Sequence, residues 1–198
     1  MITTIIFDLS EVYIKGMMGI EKKIEGKTGI HVESDSFHQT AEAKEFFHGK
    51  ITEDAFWQKL IANYNLPIDK ESLKNLVREQ MIEVEGTREI IETLKSNGYK
   101  LGLLSIHAKE WINHVEGQFD FHKLFHSVMY SFEVGLSKPD EKAFSLILTK
   151  LGVSPDECLF IDDFIGNIEA AAKLGMKTIQ FINATQLRQD LKKLQINV

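Results

Sequence analysis

The feature that most constrains this chain is a short β-branched and apolar run, Thr3 to Phe7, that stops abruptly at Asp8. A continuous apolar strand suits a parallel sheet covered on both faces, since alternation is needed only where one face meets water. The residues after Gly86 extend the pattern. A helix over Thr87 to Ser96 is stopped by Asn97-Gly98. A strand follows over Lys100 to Leu104, then a helix from about Ala108 and a short strand from His126 to Tyr130. Pro139 opens a helix running to Leu151, because proline is favoured at the first helical position. Cys158 to Ile161 reads as a strand ending at Asp162-Asp163, Asn167 to Leu174 as helix, Lys177 to Ile182 as strand and Thr185 to Leu194 as helix. This alternation predicts an α/β fold, a Rossmann-like doubly wound parallel sheet.

Residues 15–84 differ. They are rich in Lys, Glu, His and aromatics, with helical spacing and little strand signal. Thr52 is a suitable N-cap, followed by acidic Glu53 and Asp54 in the first turn and by Phe56, Leu60 and Ile61 on one face. Pro67 separates this helix from another, about Asp69 to Glu83. The expected organisation is an α/β core of residues 1–14 and 85–198, with residues 15–84 as a helical cap inserted after the first strand.

Composition narrows the function classes. With 23 basic and 29 acidic residues the net charge is −6, which argues against a nucleic-acid surface. The single cysteine, Cys158, excludes an internal disulfide, and no cysteine cluster suggests zinc. No apolar run approaches the ~18 residues of a membrane span. The N-terminus lacks the basic region of a signal peptide, so a soluble cytoplasmic protein is the expectation, with oligomeric state left open.

Three expected strands end in polar residues, Asp8, Ser105 and the pair Asp162-Asp163. Open α/β sheets bind ligands beyond the carboxyl ends of their strands, so one sheet would gather these groups in one crevice. Clustered carboxylates repel unless a cation or proton intervenes, and a hard divalent ion with oxygen ligands answers that need. Lys138, in a loop before a helix, is placed to neutralise a phosphate.

These elements carry a resemblance. Phe7-Asp8-Leu9, Leu104-Ser105, Lys138-Pro139-Asp140 and the phrase from Phe160 to Ala170 occur in the order found in the haloacid dehalogenase superfamily. The phrase Asp162 to Ala170 resembles the phosphatase branch that includes glucose-1-phosphate phosphatases and the amino-terminal domain of soluble epoxide hydrolase. His48-Gly49-Lys50-Ile51-Thr52 is similar to that branch's cap. The resemblance implies a magnesium-dependent phosphatase acting on a small phosphorylated metabolite. It makes Asp8 the nucleophile and metal ligand, and the Ser10 backbone carbonyl a metal ligand. Ser105 and Lys138 become the groups that hold the transferring phosphoryl group. Asp163 becomes the direct magnesium ligand, with Asp162 direct or through water, and Asn167 a support for that acidic loop.

Two positions depart from the pattern. Ser10 stands where the usual phosphatase has an Asp as general acid/base, and Ile106 stands where an Asn often follows the serine. Ile106 keeps only a backbone N–H for phosphate. Glu11 is adjacent to the missing acid, but its position should point elsewhere. His107 is a candidate for substrate contact. His122 and His126 have i,i+4 spacing but no evident third ligand, and read as surface or partner-satisfied histidines. Phe37, Phe46, Phe47, Phe56 and Trp57 read mainly as cap core. Two rival readings remain, a degenerate member that binds without much turnover and a metal-free 2-haloacid dehalogenase. The second fits poorly with the Asp162-Asp163 pair. Residues 15–84 hold 10 basic and 12 acidic groups, a net of −2. Of the remaining −4, three charges are Asp8, Asp162 and Asp163.

Overall fold

Four short strands flank the first, two on each side. The computed structural model describes residues 1–198, apart from the side chain of Asp35. The strands are β1 (Thr4–Phe7), β2 (Lys100–Ser105), β3 (Ser127–Tyr130), β4 (Cys158–Asp162) and β5 (Lys177–Gln180). They form one sheet in the order β3-β2-β1-β4-β5. Every pairing is parallel, with Phe7 level with Leu103 on one side and Ile161 on the other. All four residues of β1 and all five of β4 are buried, as expected of strands covered on both faces. Their side chains still alternate. Ile5 and Phe7 join one apolar cluster, and Ile6 joins the other.

Helices α1 (Ile20–Thr28), α2 (Ala41–Phe47), α3 (Glu53–Tyr64) and α4 (Lys70–Arg78) lie between β1 and the helix preceding β2. The crossovers are α5 (Thr87–Ser96), α6 (Lys109–Phe119), α7 (Ser131–Val134), α8 (Glu141–Leu151) and α9 (Ile165–Lys173), and α10 (Ala184–Lys193) closes the chain. The expected α/β architecture is present. No helix among the described residues is long and apolar enough to cross a membrane.

Local chemistry sets the boundaries. The Thr40, Thr52 and Asp69 side chains accept from Ala43, Ala55 and Ser72 N–H at the starts of α2, α3 and α4. Several boundaries differ by a residue or two from the sequence expectation, as β5 stops at Gln180 and α9 starts at Ile165, and two differences have a visible cause. Helix α4 ends at Arg78 and does not reach Glu83, because the returning chain bridges Ile14 to Glu83 and Val84 N–H donates to Tyr13 carbonyl at 2.8 Å. Helix α8 starts after Pro139, since Asp140 caps it by accepting from Lys142 N–H at 2.9 Å.

Phe46, Phe56, Trp57 and Leu73, from the helices between β1 and α5, belong to the same apolar cluster as Phe7, Leu103 and Ile161 of the sheet. The helical segment therefore shares its core with one face of the sheet. Its junction is close. Gly49, with φ of +68°, lies where an added Cβ would stand 2.8 Å from the Phe132 carbonyl oxygen. His48 Nε2 meets Ser137 Oγ at 2.7 Å, next to Lys138.

Candidate active site

Strand β1 is the switch point of the sheet, since the chain runs outward from it in both directions. Asp8 follows β1, Ser105 ends β2, and Asp162 ends β4, so the parallel register delivers all three to one edge. Lys138 arrives from the loop before α8, and its ammonium lies 2.9 Å from Asp8 Oδ1 and 2.6 Å from Asp162 Oδ2. All three side chains are buried. Leu9 N–H also donates to Asp8 Oδ1, at 2.6 Å. No hydrogen bond reaches Asp8 Oδ2 among the described residues.

Asp162 is fully engaged. Asn167 Nδ2 donates to both its oxygens at 3.0 Å, and Phe164 N–H donates to Oδ1 at 2.9 Å. Asn167 is itself buried at the first turn of α9, which fixes its direction. Asp163 is half-buried, and its backbone carbonyl is held by Gln180 Nε2 at 3.0 Å. Carboxylate oxygens of Asp8, Asp162 and Asp163 lie within 4.8 Å of one another.

Three carboxylates against one ammonium leave a local excess of −2. Burial is the main force raising the Asp8 carboxyl to about 7; Lys138 opposes that rise, while Asp162 adds to it. Burial likewise lifts Asp163 to about 6, again reinforced by Asp162. Burial disfavours the Lys138 ammonium, but Asp162 and Asp8 outweigh it and hold its pKa above the ordinary value. The groups fit a hard divalent cation, with oxygen donors and the charge deficit to receive it. A second observation fits an anion beside it. Ser105 Oγ is buried with no hydrogen-bond partner among the described residues, as are Thr4 Oγ1, Thr87 Oγ1 and His114 Nε2, but of these only Ser105 ends a strand at the edge that carries the carboxylates.

A cavity of about 800 Å³ opens above this edge, bounded by the sheet loops and by the segment from Ser10 to Met81. Asp8, Ser10, Ile106, His107, Lys138, Asp163 and Asn167 all line it. His107 is buried, which pushes its imidazole down to about 4. Its Nδ1 accepts from Ala108 N–H at 3.1 Å, so the neutral ring carries its proton on Nε2. Glu11 also lines the cavity, but its Oε1 accepts from Gly16 N–H at 2.8 Å and is occupied in shaping the loop.

Other expectations resolve simply. His122 meets the Tyr130 hydroxyl at 2.6 Å, and His126 Nδ1 accepts from Leu101 N–H at 3.0 Å. Cys158 is buried in β4, and burial pushes its thiol up to about 11, consistent with a structural role. Phe37, Phe46, Phe47, Phe56 and Trp57 are all buried, although Phe47 also faces the cavity.

Sequence reasoning missed the cavity wall. Trp111 on α6 lines it, and its Nε1–H donates to Glu53 Oε1 at 2.8 Å. Glu53 is 3% exposed and also binds Arg78 at 2.6 Å, so it is a buried ion-pair residue and more than a first-turn acid. The one available signal was the aromatic four residues after His107, the spacing that puts both on one side of a helix start.

A family model described as haloacid dehalogenase-like hydrolase matches residues 21–181. Flavin mononucleotide hydrolase 1 of Arabidopsis thaliana is 29% identical over 154 residues, covering 78% of this chain and 62% of that protein. The phosphorylated carbohydrates phosphatase of Thermotoga maritima is 30% identical over 110 residues, covering 55% of this chain and 50% of its own length. The chain thus spans less than two thirds of either relative. A solved structure of a haloacid dehalogenase family enzyme from Bacteroides thetaiotaomicron, in complex with magnesium and inorganic phosphate, superposes with a TM-score of 0.75. It is 20% identical and covers 94% of this chain and 99% of its own.

Proposed function

The chain belongs to the haloacid dehalogenase-like hydrolases, and on that ground we propose that it is a magnesium-dependent phosphatase of a small phosphorylated metabolite. The observation that carries this reading is Asp8, a cavity-lining carboxylate with one oxygen tied to Lys138 and Leu9 and no hydrogen bond to the other among the described residues, at the same sheet edge as the unpartnered Ser105 hydroxyl. The phosphatase relatives support it.

Asp8 Oδ2 attacks phosphorus, the ester P–O bond breaks, and the leaving alkoxide takes its proton from solvent water, since position 10 carries no acidic side chain. Water then attacks the phosphorus of the aspartyl-phosphate and gives its proton to solvent, and the Asp8 O–P bond breaks, releasing phosphate and restoring the carboxylate. Lys138 and the Ser105 hydroxyl hold the phosphoryl oxygens, and the backbone N–H of Ile106 adds a donor. Phosphoryl transfer depends mainly on such positioning and charge stabilisation. The neutral His107 offers its Nε2–H as a donor to bound ester. Asp8, Asp163 and the Ser10 carbonyl would hold magnesium directly. Asp162, already engaged by four N–H contacts from Lys138, Asn167 and Phe164, would act through water. Magnesium, when bound, supplies the charge that offsets the carboxylates and the phosphate dianion. Residues 15–84 act as the cap, bounding the cavity and excluding water.

Ser10 cannot serve as the general acid, a contribution typically worth ~10²–10⁴-fold. That absence favours a second reading, a phosphate-binding member with little turnover. The crowding of three carboxylates disfavours metal-free dehalogenation. A panel of phosphate monoesters assayed with magnesium and with EDTA decides among them. Turnover with magnesium that stops in EDTA supports the phosphatase. Phosphate binding without turnover supports the binding protein, and halide release from a 2-haloacid in EDTA would overturn both.

A further inference from the structure

We infer that the site selects monoesters whose alcohol is bulky, uncharged and mainly apolar, and rejects esters carrying a second anionic group. This rests on the phosphatase reading and adds the class of leaving group. The lining carries a large apolar set, Met17, Met18, Phe47, Met81 and Trp111. Four of these are buried, and Trp111 is fixed by its bond to Glu53, so the wall is preformed. Thioethers and aromatic faces recognise apolar and ring-bearing groups through dispersion and sulfur–aromatic contact. The cavity, about 800 Å³, holds far more than a three-carbon alcohol.

Charge supplies the exclusion. Lys138 is the only lysine or arginine lining the cavity among the described residues, and two carboxylates already bind it. Glu11, near enough to Asp163 to raise its pKa, and Glu21 of α1 add negative charge to the lining. A carboxylate or second phosphate on the substrate would be desolvated against like charge, with Lys138 already paired and no further lysine or arginine in the lining among the described residues.

The test compares 3-phenylpropyl phosphate, glycerol 3-phosphate and 3-phosphoglycerate with magnesium, all esters of primary or secondary alkyl alcohols. The expected kcat/KM is about tenfold or more higher for the phenylpropyl ester than for glycerol 3-phosphate, and lowest for 3-phosphoglycerate. Equal or better turnover of either small ester overturns the inference and leaves the phosphatase reading standing. No turnover of any ester, p-nitrophenyl phosphate included, by folded protein defeats both. Met18 is 70% exposed, so Met18→Lys tests the charge argument without disturbing the core. It should lower KM for 3-phosphoglycerate and raise it for the phenylpropyl ester. An unchanged KM for 3-phosphoglycerate counts against exclusion by charge.

Discussion

Asp8 has two unlike oxygens, and the difference defines its chemistry. Oδ1 is anchored by Leu9 N–H and Lys138, which orients Oδ2 without consuming it. Asp8→Asn keeps the shape and removes the nucleophile, so turnover should fall by more than about 10⁴-fold with an unchanged circular dichroism spectrum. A milder loss would remove Asp8 from the covalent role. Asn167→Ala leaves Asp162 without its 3.0 Å amide contacts. Loss of such a support should weaken magnesium binding by about 10–100-fold, measured by calorimetry on folded protein. Asp8, Ser105, Lys138 and Asp162 were legible as candidates because each stands at a strand end or in the loop before a helix, while Asn167, inside α9, was reached only through the resemblance of the phrase around it. Trp111, Glu53 and the three methionines were not legible, because they meet through tertiary packing of segments far apart in the chain.

Among the elements, the helical segment and α6 of the α/β core are joined by a buried carboxylate. Glu53 of α3 accepts from Trp57 and Trp111 and pairs with Arg78 of α4. Arg78→Met leaves that charge uncompensated and should cost about 3–5 kcal/mol in chemical denaturation. A cost below about 1 kcal/mol would show that solvent reaches Glu53. Gly49→Ala introduces a Cβ 2.8 Å from the Phe132 carbonyl at a φ of +68°. It should destabilise by more than the ~1 kcal/mol typical of an alanine in that backbone region, since the obstacle is backbone. The crossover elements were legible from their periodicity and their Gly and Pro punctuation. The end of α4 was not, because an extended pairing between Ile14 and Glu83, 69 positions apart in the numbering, overrides local helix preference.

At the scale of the molecule, the site makes stability depend on pH and on metal together. The folded state raises Asp8 to about 7 and Asp163 to about 6, from 3.8, so it binds more protons than the unfolded chain over that window. Their contribution to stability therefore declines as pH rises from about 4 to 7. Burial of His107, lowered from 6.5 to about 4, acts in the opposite sense over much of the same range. The difference between magnesium and EDTA isolates the carboxylates. The gain in Tm on adding magnesium should be larger at pH 7.5 than at pH 5.5, because the ion binds deprotonated ligands. An equal gain at both values would place the ion elsewhere. Strand β1 has one further consequence. It precedes both of its neighbours in the chain, pairing with β2, beginning at Lys100, and with β4, beginning at Cys158. On a ribosome, β1 must wait for both to be made, a topology dominated by distant contacts. A nascent chain that has not yet reached β4 cannot bring Asp8 and Asp162 together, so the cluster of carboxylates forms only after the strands on both sides of β1 are in place.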